Sequence, residues 1–284
     1  MNRLSFEAAH IVFATKHQKS LAASEPFARL LNATVSELPI DSDTLGTFSG
    51  EVPRPGSMLH ALRGKVALAR AVTQERFLLV SEGSFGSAGG LGLIAQGVEM
   101  LLLHDTQTGI EIIEQHISLS TNYASRELTH QDDLAAFLSC IRFESHALLL
   151  YPKGLLVPEA VQKGITTHES AYDAFSKCLK ASPQGAVVAM SDMRAHLNPT
   201  RMGEISACCE LLARRLATTC PRCTSGGFGL TATVPGLPCS GCGEPTQRAR
   251  AEKHSCPVCG SSVERPRADG RRHADPAECE WCNP

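Results

Sequence analysis

Eight of the twelve cysteines fall beyond residue 219, in four Cys-x-x-Cys pairs: Cys220 and Cys223, Cys239 and Cys242, Cys256 and Cys259, Cys279 and Cys282. Two intervening residues let a tight turn aim both thiolates at one ion, with Zn–S near ~2.3 Å. Four pairs therefore predict two tetrahedral sites and two structural zinc ions. The surrounding "CPRC", "LPCSGCG" and "CPVCG" carry the Pro and Gly that such knuckles use to turn. The N-terminal "MNRLSFEAAH" lacks the apolar core of a secretion signal, so a disulfide framework is not expected and a cytoplasmic location is. Two ways of sharing the ions are open. A sequential pairing joins the first pair with the second and the third with the fourth; an interleaved one joins first with third and second with fourth. The sequential pairing is preferred, because each half then repeats one knuckle–strand–knuckle order, with "GFGLTATV" supplying strand. The tail is assigned to residues 218–284 and a larger domain to residues 1–217.

Charge limits what such a tail can bind. From residue 220 onward there are eight Lys/Arg and seven Asp/Glu. Eight thiolates and two zinc ions then leave the metallated tail at about −3, the wrong sign for phosphate backbones. The whole chain has a formal charge of −2, one Trp and three Tyr, which gives little surface for stacking bases. Nucleic acid is thus disfavoured, and the tail is read as a structural element or a contact for a protein partner. No apolar run approaches the ~18 residues of a membrane span. At 43% apolar residues the chain is globular.

Residues 1–217 alternate apolar runs with helical patterns. Strands are expected at 10–15, 33–38 and 76–82, and a hairpin of 97–105 with 109–120 turns at "TQTG". Two further strands, "HALLLYP" and "GAVVAM", lie between helices near 130–140, 168–181 and 200–218. Helices are also expected at 19–32, where Ser24 and Pro26 mark a start or a break, and at 58–73. This order predicts an α/β fold, a mixed sheet flanked by helices. Cys140, Cys178, Cys208 and Cys209 lie in apolar periodic stretches and are expected in the core.

The polar residues collect at strand ends. The first strand leads into Thr15, Lys16, His17 and Lys19 just before a helix, and helix N-termini with lysines beside them suit phosphate. The third strand reads "LLVSEGSFGS", with Glu82 at its end and Gly83 and Gly86 permitting a sharp turn. An acid there needs either a partner, with Arg63 or Arg76 in reach, or a ligand. "SDMRAHLNPTRM" places Arg194 and Arg201 around a helix start at Asn198-Pro199-Thr200, where planar guanidinium donors suit a phosphate or a base edge.

In combination, Thr15, His17 and Lys19 after the first strand, "HALRGKVALA" on a helix, and "VSEGSFG" after the next strand resemble the purine nucleoside triphosphate pyrophosphatases of the inosine/xanthosine triphosphatase families. The resemblance spans roughly residues 10–90 and extends weakly to about 217. It implies a metal-dependent hydrolase releasing pyrophosphate, with Thr15, Lys16, His17, Lys19 and Lys65 on the phosphates, while Arg194 and Arg201 join the phosphate-binding candidates through their own guanidinium chemistry. It gives Glu82 a Mg²⁺- or Mn²⁺-binding and water-activating role, with Glu51 or His60 as second ligand. The sequence departs from the pattern in four places, one of them the order of Arg194 and His196, which is the reverse of the family's late Ser-His-Arg motif for the base. His17 stands where Asn is expected, Lys19 follows Thr15 by four residues instead of five, and His60 replaces the Glu expected five residues before Lys65. Asp41 and Asp43 are further candidates for the missing carboxylate. A non-catalytic nucleotide sensor or adaptor, using the tail for partner contact, is the alternative. Over nearly its full length the chain also resembles an uncharacterised bacterial domain-of-unknown-function family, through "ATKH", "GTFSGEVPRPGS", "SEGSFG", "DMRAHLNPTRM" and "GLPCSGCG … CEWCNP".

Overall fold

The computed structural model describes residues 3–87 and 95–284; the last positions of the pyrophosphatase-like stretch, 88–90, lie outside them. The chain divides into two compact units. One is Ala8–Leu212, and the other is Ala213–Pro284 together with the N-terminal segment up to Glu7.

The larger unit holds two sheets with helices packed on them. The first sheet has the order β2-β1-β3-β4-β5, from β1 (His10–Ala14), β2 (Thr34–Leu38), β3 (Phe77–Ser87), β4 (Ala95–Asp105) and β5 (Glu111–Ser118). β1 runs parallel to both β2 and β3, while β3, β4 and β5 form an antiparallel meander. As a central strand covered on both faces, β1 needs apolar side chains throughout, and Ile11 to Ala14 are all buried. Helices α1 (Ser20–Leu31) and α2 (Met58–Val72) make the two crossovers. In α2 the apolar positions Leu62, Val66 and Ala69 recur at helical spacing and pack with Val12, Leu78, Val80 and Leu102. Ser57 caps it, accepting the His60 N–H at 3.2 Å. α1 runs unbroken through Pro26 from Ser20, so neither Ser24 nor Pro26 marks its start.

The second sheet has the order β6-β9-β7-β8. It comprises β6 (Ser125–Leu128), β7 (Leu148–Pro152), β8 (Gln162–Ile165) and β9 (Val187–Ser191), all antiparallel. Its core packs Leu148, Leu150, Val187 and Ala189 against Phe137 and Leu138 of α3 (Gln131–Cys140) and Phe175 and Cys178 of α4 (His168–Ala181). Cys140 ends α3 exposed, against the core position expected for it. α5 (Pro199–Ala217) is capped by Asn198, whose side-chain oxygen accepts the Arg201 N–H at 2.9 Å, with Pro199 at its first position.

β3 does not end at Glu82. It runs straight through Gly83 and Gly86, paired residue by residue with β4 from Phe77↔Asp105 to Ser87↔Ala95. The glycines form no turn here. A Cβ on Gly83 would lie 2.4 Å from Arg201 Nη2 and 2.9 Å from Glu99 Oε1, so Gly83 makes room for a buried ion pair beneath the strand.

The smaller unit carries a three-stranded antiparallel sheet of β10 (Gly229–Pro235), β11 (Ala249–Ser255) and β12 (Ser262–Pro266). β10 overlaps "GFGLTATV", and β12 lies between the third and fourth knuckles, where the repeated order places a strand, whereas β11 has no counterpart in that reading. Among the described residues, no helix is long and apolar enough to cross a membrane.

Candidate functional site

In the larger unit a cleft of about 400 Å³ opens between the two sheets. Its walls are the loop after β1, the 42–54 stretch of the long loop before α2, the middle of β3, and residues at the ends of β8 and β9. Seven Lys and Arg side chains line it, against three carboxylates. Thr15, Lys16, His17, Lys19, Lys65, Glu82, Arg194 and Arg201 are all among the lining residues.

Lys19 is the most buried of the seven cations. It is 5% exposed, and its Nζ lies 2.9 Å from Ser81 Oγ with no carboxylate of the described residues in salt-bridge reach. Burial, reinforced by Arg201 and Lys65, brings its ammonium from the usual 10.5 down to about 7. The loop that delivers it is tightly wound. Gln18 adopts a left-handed φ of 57°, and Glu37 of β2 accepts from the Gln18 N–H and the Ser20 hydroxyl. Backbone conformations of this kind cost free energy and collect at functional loops.

Glu82 faces the same cleft, and its two oxygens are held by two cations: Arg54 at 2.7 Å and Lys65 at 2.5 Å. Burial alone would raise its carboxyl, but Lys65, Arg54 and Lys19 outweigh that and hold it below the usual range. Its partners are therefore neither Arg63, which forks onto Glu111, nor Arg76, which pairs with Asp105. Arg54 and Lys65 also donate to the Gly83 and Ser81 carbonyls, which locks the loop and α2 onto β3. Behind them Arg201 is buried against Glu99 at 2.7 Å, bonded to the Met193 carbonyl and stacked over Phe85 at 5.0 Å.

On the opposite wall each cation has its own carboxylate. Arg194 is clasped by Asp192 at 2.7 Å, and Lys163 pairs with Glu51. Burial opposes the Glu51 charge, yet Lys163 and hydroxyl donors hold it down to about 2. Lys16, at the rim, bridges Asp41 and Asp43 at 2.9 and 2.7 Å. The His17 ring stacks on His196 with centroids 5.0 Å apart, and its buried Nδ1 has no hydrogen-bond partner among the described residues. Burial and the cations Lys19, Arg194 and Arg201 keep His17 neutral, its value down to about 3.

The structure does not gather Glu82, Glu51 and His60. His60 is exposed on α2 and outside the cleft lining, beside Gly56, and Glu51 is held by Lys163. Sequence reasoning missed Arg54, Lys163 and Glu99. Glu99 had a signal, an acid interrupting the apolar run of β4. Lys163 had none, since β8 is four residues of weak pattern.

The tail cysteines form two groups of four. They are interleaved: Cys220 and Cys223 with Cys256 and Cys259, Cys239 and Cys242 with Cys279 and Cys282. The sequential pairing is thus corrected. β11 carries the chain across the unit between the second and third knuckles, so each ion joins one knuckle from either side of it. Cross-pair sulfur distances are 3.7 and 3.6 Å in the first group and 3.8 and 3.6 Å in the second. A ZnS₄ tetrahedron with ~2.3 Å bonds has edges of about 3.8 Å, so the donor sets fit zinc. Among the described residues these are the only two such groupings of metal-binding side chains.

No curated protein matches the chain. A family model described as "Domain of unknown function (DUF6671)" matches residues 65–284, which take in the second half of α2, β3 to β5 of the first sheet, the whole second sheet and the whole tail. The chain therefore belongs to the DUF6671 family.

Proposed function

We propose that the cleft binds the phosphate chain of a nucleotide, and that the two Cys₄ groups hold structural zinc. The observation that carries the reading is Lys19. An ammonium is rarely buried without a carboxylate, because desolvation disfavours its charge. Here Arg201 and Lys65 stand beside it and add to the penalty. An anion entering the cleft would supply the missing counter-charge, and Lys65, Arg54 and Lys16 line the same cleft. The far wall, where Asp192 and Glu51 neutralise Arg194 and Lys163, suits the uncharged part of the ligand.

Calorimetric titration with a nucleoside and its mono-, di- and triphosphates tests this. Affinity is expected to climb with each phosphate, and equal binding of the nucleoside and its triphosphate would overturn it. Running the same panel with Mg²⁺ or Mn²⁺ and following pyrophosphate separates the two forms of the proposal. Hydrolysis requires Glu82 to leave Lys65 and Arg54 when phosphate competes for them. The double clasp on Glu82 favours the second form, a nucleotide sensor or adaptor whose zinc unit meets a protein partner.

A further inference from the structure

We infer that binding of a polyphosphate in the cleft is coupled to protonation of Lys19, making the cleft a proton-linked anion receptor. This rests on the phosphate-binding proposal and adds its regulation by pH. The geometry behind it is the company Lys19 keeps. Lys65 faces it from α2, Ser81 and Glu82 from β3, Glu99 from β4, Arg201 and Cys209 from α5, and His17 from its own loop. The two carboxylates in that shell are already engaged, Glu99 by Arg201 and Glu82 by Lys65 and Arg54. Cys209 is buried, with its thiol pushed well above the ordinary range, and supplies no counter-charge at neutral pH. His17 is neutral for the reasons given above. Among the described residues Lys19 is left beside cations with one hydrogen-bond partner, Ser81 Oγ at 2.9 Å.

A hydroxyl can serve either state of that amine. Ser81 donates to a neutral Nζ and accepts from an ammonium, so both forms are satisfied in place. Without a ligand, burial and the neighbouring Arg201 and Lys65 bring the Nζ value down to about 7. An entering phosphate reverses the balance. Its charge stabilises the ammonium, and the Nζ lone pair takes a proton from the buffer as the anion docks. The sign follows from linkage. Above the empty-state value, binding must first load a proton, so affinity falls by up to roughly tenfold per pH unit until the bound-state value is reached. Below it Lys19 is already charged and this dependence disappears.

Two measurements on the full chain test the inference, with inorganic pyrophosphate as probe. Lysine ¹³Cε NMR follows Lys19 through a pH titration, its signal assigned by loss in Lys19→Arg. The empty protein is expected to titrate near neutrality and the pyrophosphate complex well above it. Calorimetry near pH 8 in buffers of differing ionisation enthalpy then counts protons. Wild type should take up between about half and one proton more than Lys19→Arg, whose guanidinium stays charged and whose pyrophosphate carries the same proton load. Pyrophosphate binding with an unmoved Lys19 titration, or with equal uptake by both proteins, overturns the inference and leaves the phosphate reading standing. No binding of pyrophosphate or nucleoside triphosphate by the wild type overturns both.

Discussion

Gly83 and Gly86 sit three residues apart on one continuous strand, and replacing each by alanine should give opposite results. At Gly83 the new Cβ would lie 2.4 Å from Arg201 Nη2, 2.9 Å from Glu99 Oε1 and 3.1 Å from the Phe85 ring, so one of these groups must move by several tenths of an ångström or more. Arg201 has little freedom to do so. It is 8% exposed, bonded to Glu99 at 2.7 Å and held by the Met193 carbonyl. Breaking a buried ion pair outright costs about 3–5 kcal/mol, and a partial displacement about 2–4 kcal/mol. Removing a glycine from an extended strand returns about 0.5 kcal/mol through the unfolded chain. Gly83→Ala is therefore expected to destabilise the larger unit by about 2–3 kcal/mol. At Gly86 a Cβ meets no atom of the described residues within 4 Å, so Gly86→Ala should gain about 0.5 kcal/mol. Equilibrium urea unfolding should follow far-UV circular dichroism, because the single Trp, Trp281, lies in the other unit and would report the wrong transition. Two variants within about 0.5 kcal/mol of each other would refute the packing argument and restore the turn first expected at these glycines.

Lys19→Met should stabilise the protein while weakening pyrophosphate binding. An ammonium lowered from 10.5 to about 7 costs the fold about 4 kcal/mol at pH 7, and the lost Ser81 bond takes back about 1 kcal/mol. Because the folded-state value is depressed, that cost is complete below about pH 7 and fades as pH climbs towards 10.5, so the gap between the two melting temperatures should close over that range. A variant less stable than wild type at pH 7 would refute it. Glu82→Gln leaves Lys65 and Arg54 without their carboxylate; stability should fall by about 2–4 kcal/mol and pyrophosphate affinity should rise several-fold. Unchanged stability and affinity would detach Glu82 from both cations. Changing Cys220, Cys223, Cys256 and Cys259 together to Ser should leave one zinc per chain by elemental analysis. Changing Cys220, Cys223, Cys239 and Cys242 should leave none, since each ion then loses two ligands; one zinc retained in that variant would mean sequential pairing.

Much of the larger unit was legible because its signals are local. Helical spacing in "MLHALRGKVALARAV" and the apolar runs of β1, β4 and β7 depend only on which face a residue presents. Asn198-Pro199 announced the start of α5 in the same way. The short strands β6 and β8, at four residues each, carry too little pattern to register. Glycine misled at Gly83, where the residue serves a partner more than a hundred positions away instead of a local turn. The site was half readable for the same reason. Lys16, Lys19, Lys65 and Arg201 stand out beside strand and helix ends, while Arg54 and Lys163 reach the cleft only through a long loop and a register set by the fold. The repeated knuckle pattern gave the ligand types, but which thiolates meet depends on the path of β11 between them.

That path also governs the order in which the tail can be made. The second group's first knuckle lies between the two knuckles of the first, so neither ion is enclosed by a contiguous stretch. A chain emerging from the ribosome offers no complete set of four thiolates until Cys259 appears, and no second set until Cys282. A sequential arrangement would have finished its first ion at Cys242. Once the first ion is bound, the remaining loop is partly closed and the thiolates of the second group are brought near one another, lowering the entropy lost in gathering them. Metal loading should therefore be late and ordered: a form carrying one ion in the first group precedes completion of the second, and a chain truncated between Cys259 and Cys279 keeps two stranded thiolates at Cys239 and Cys242.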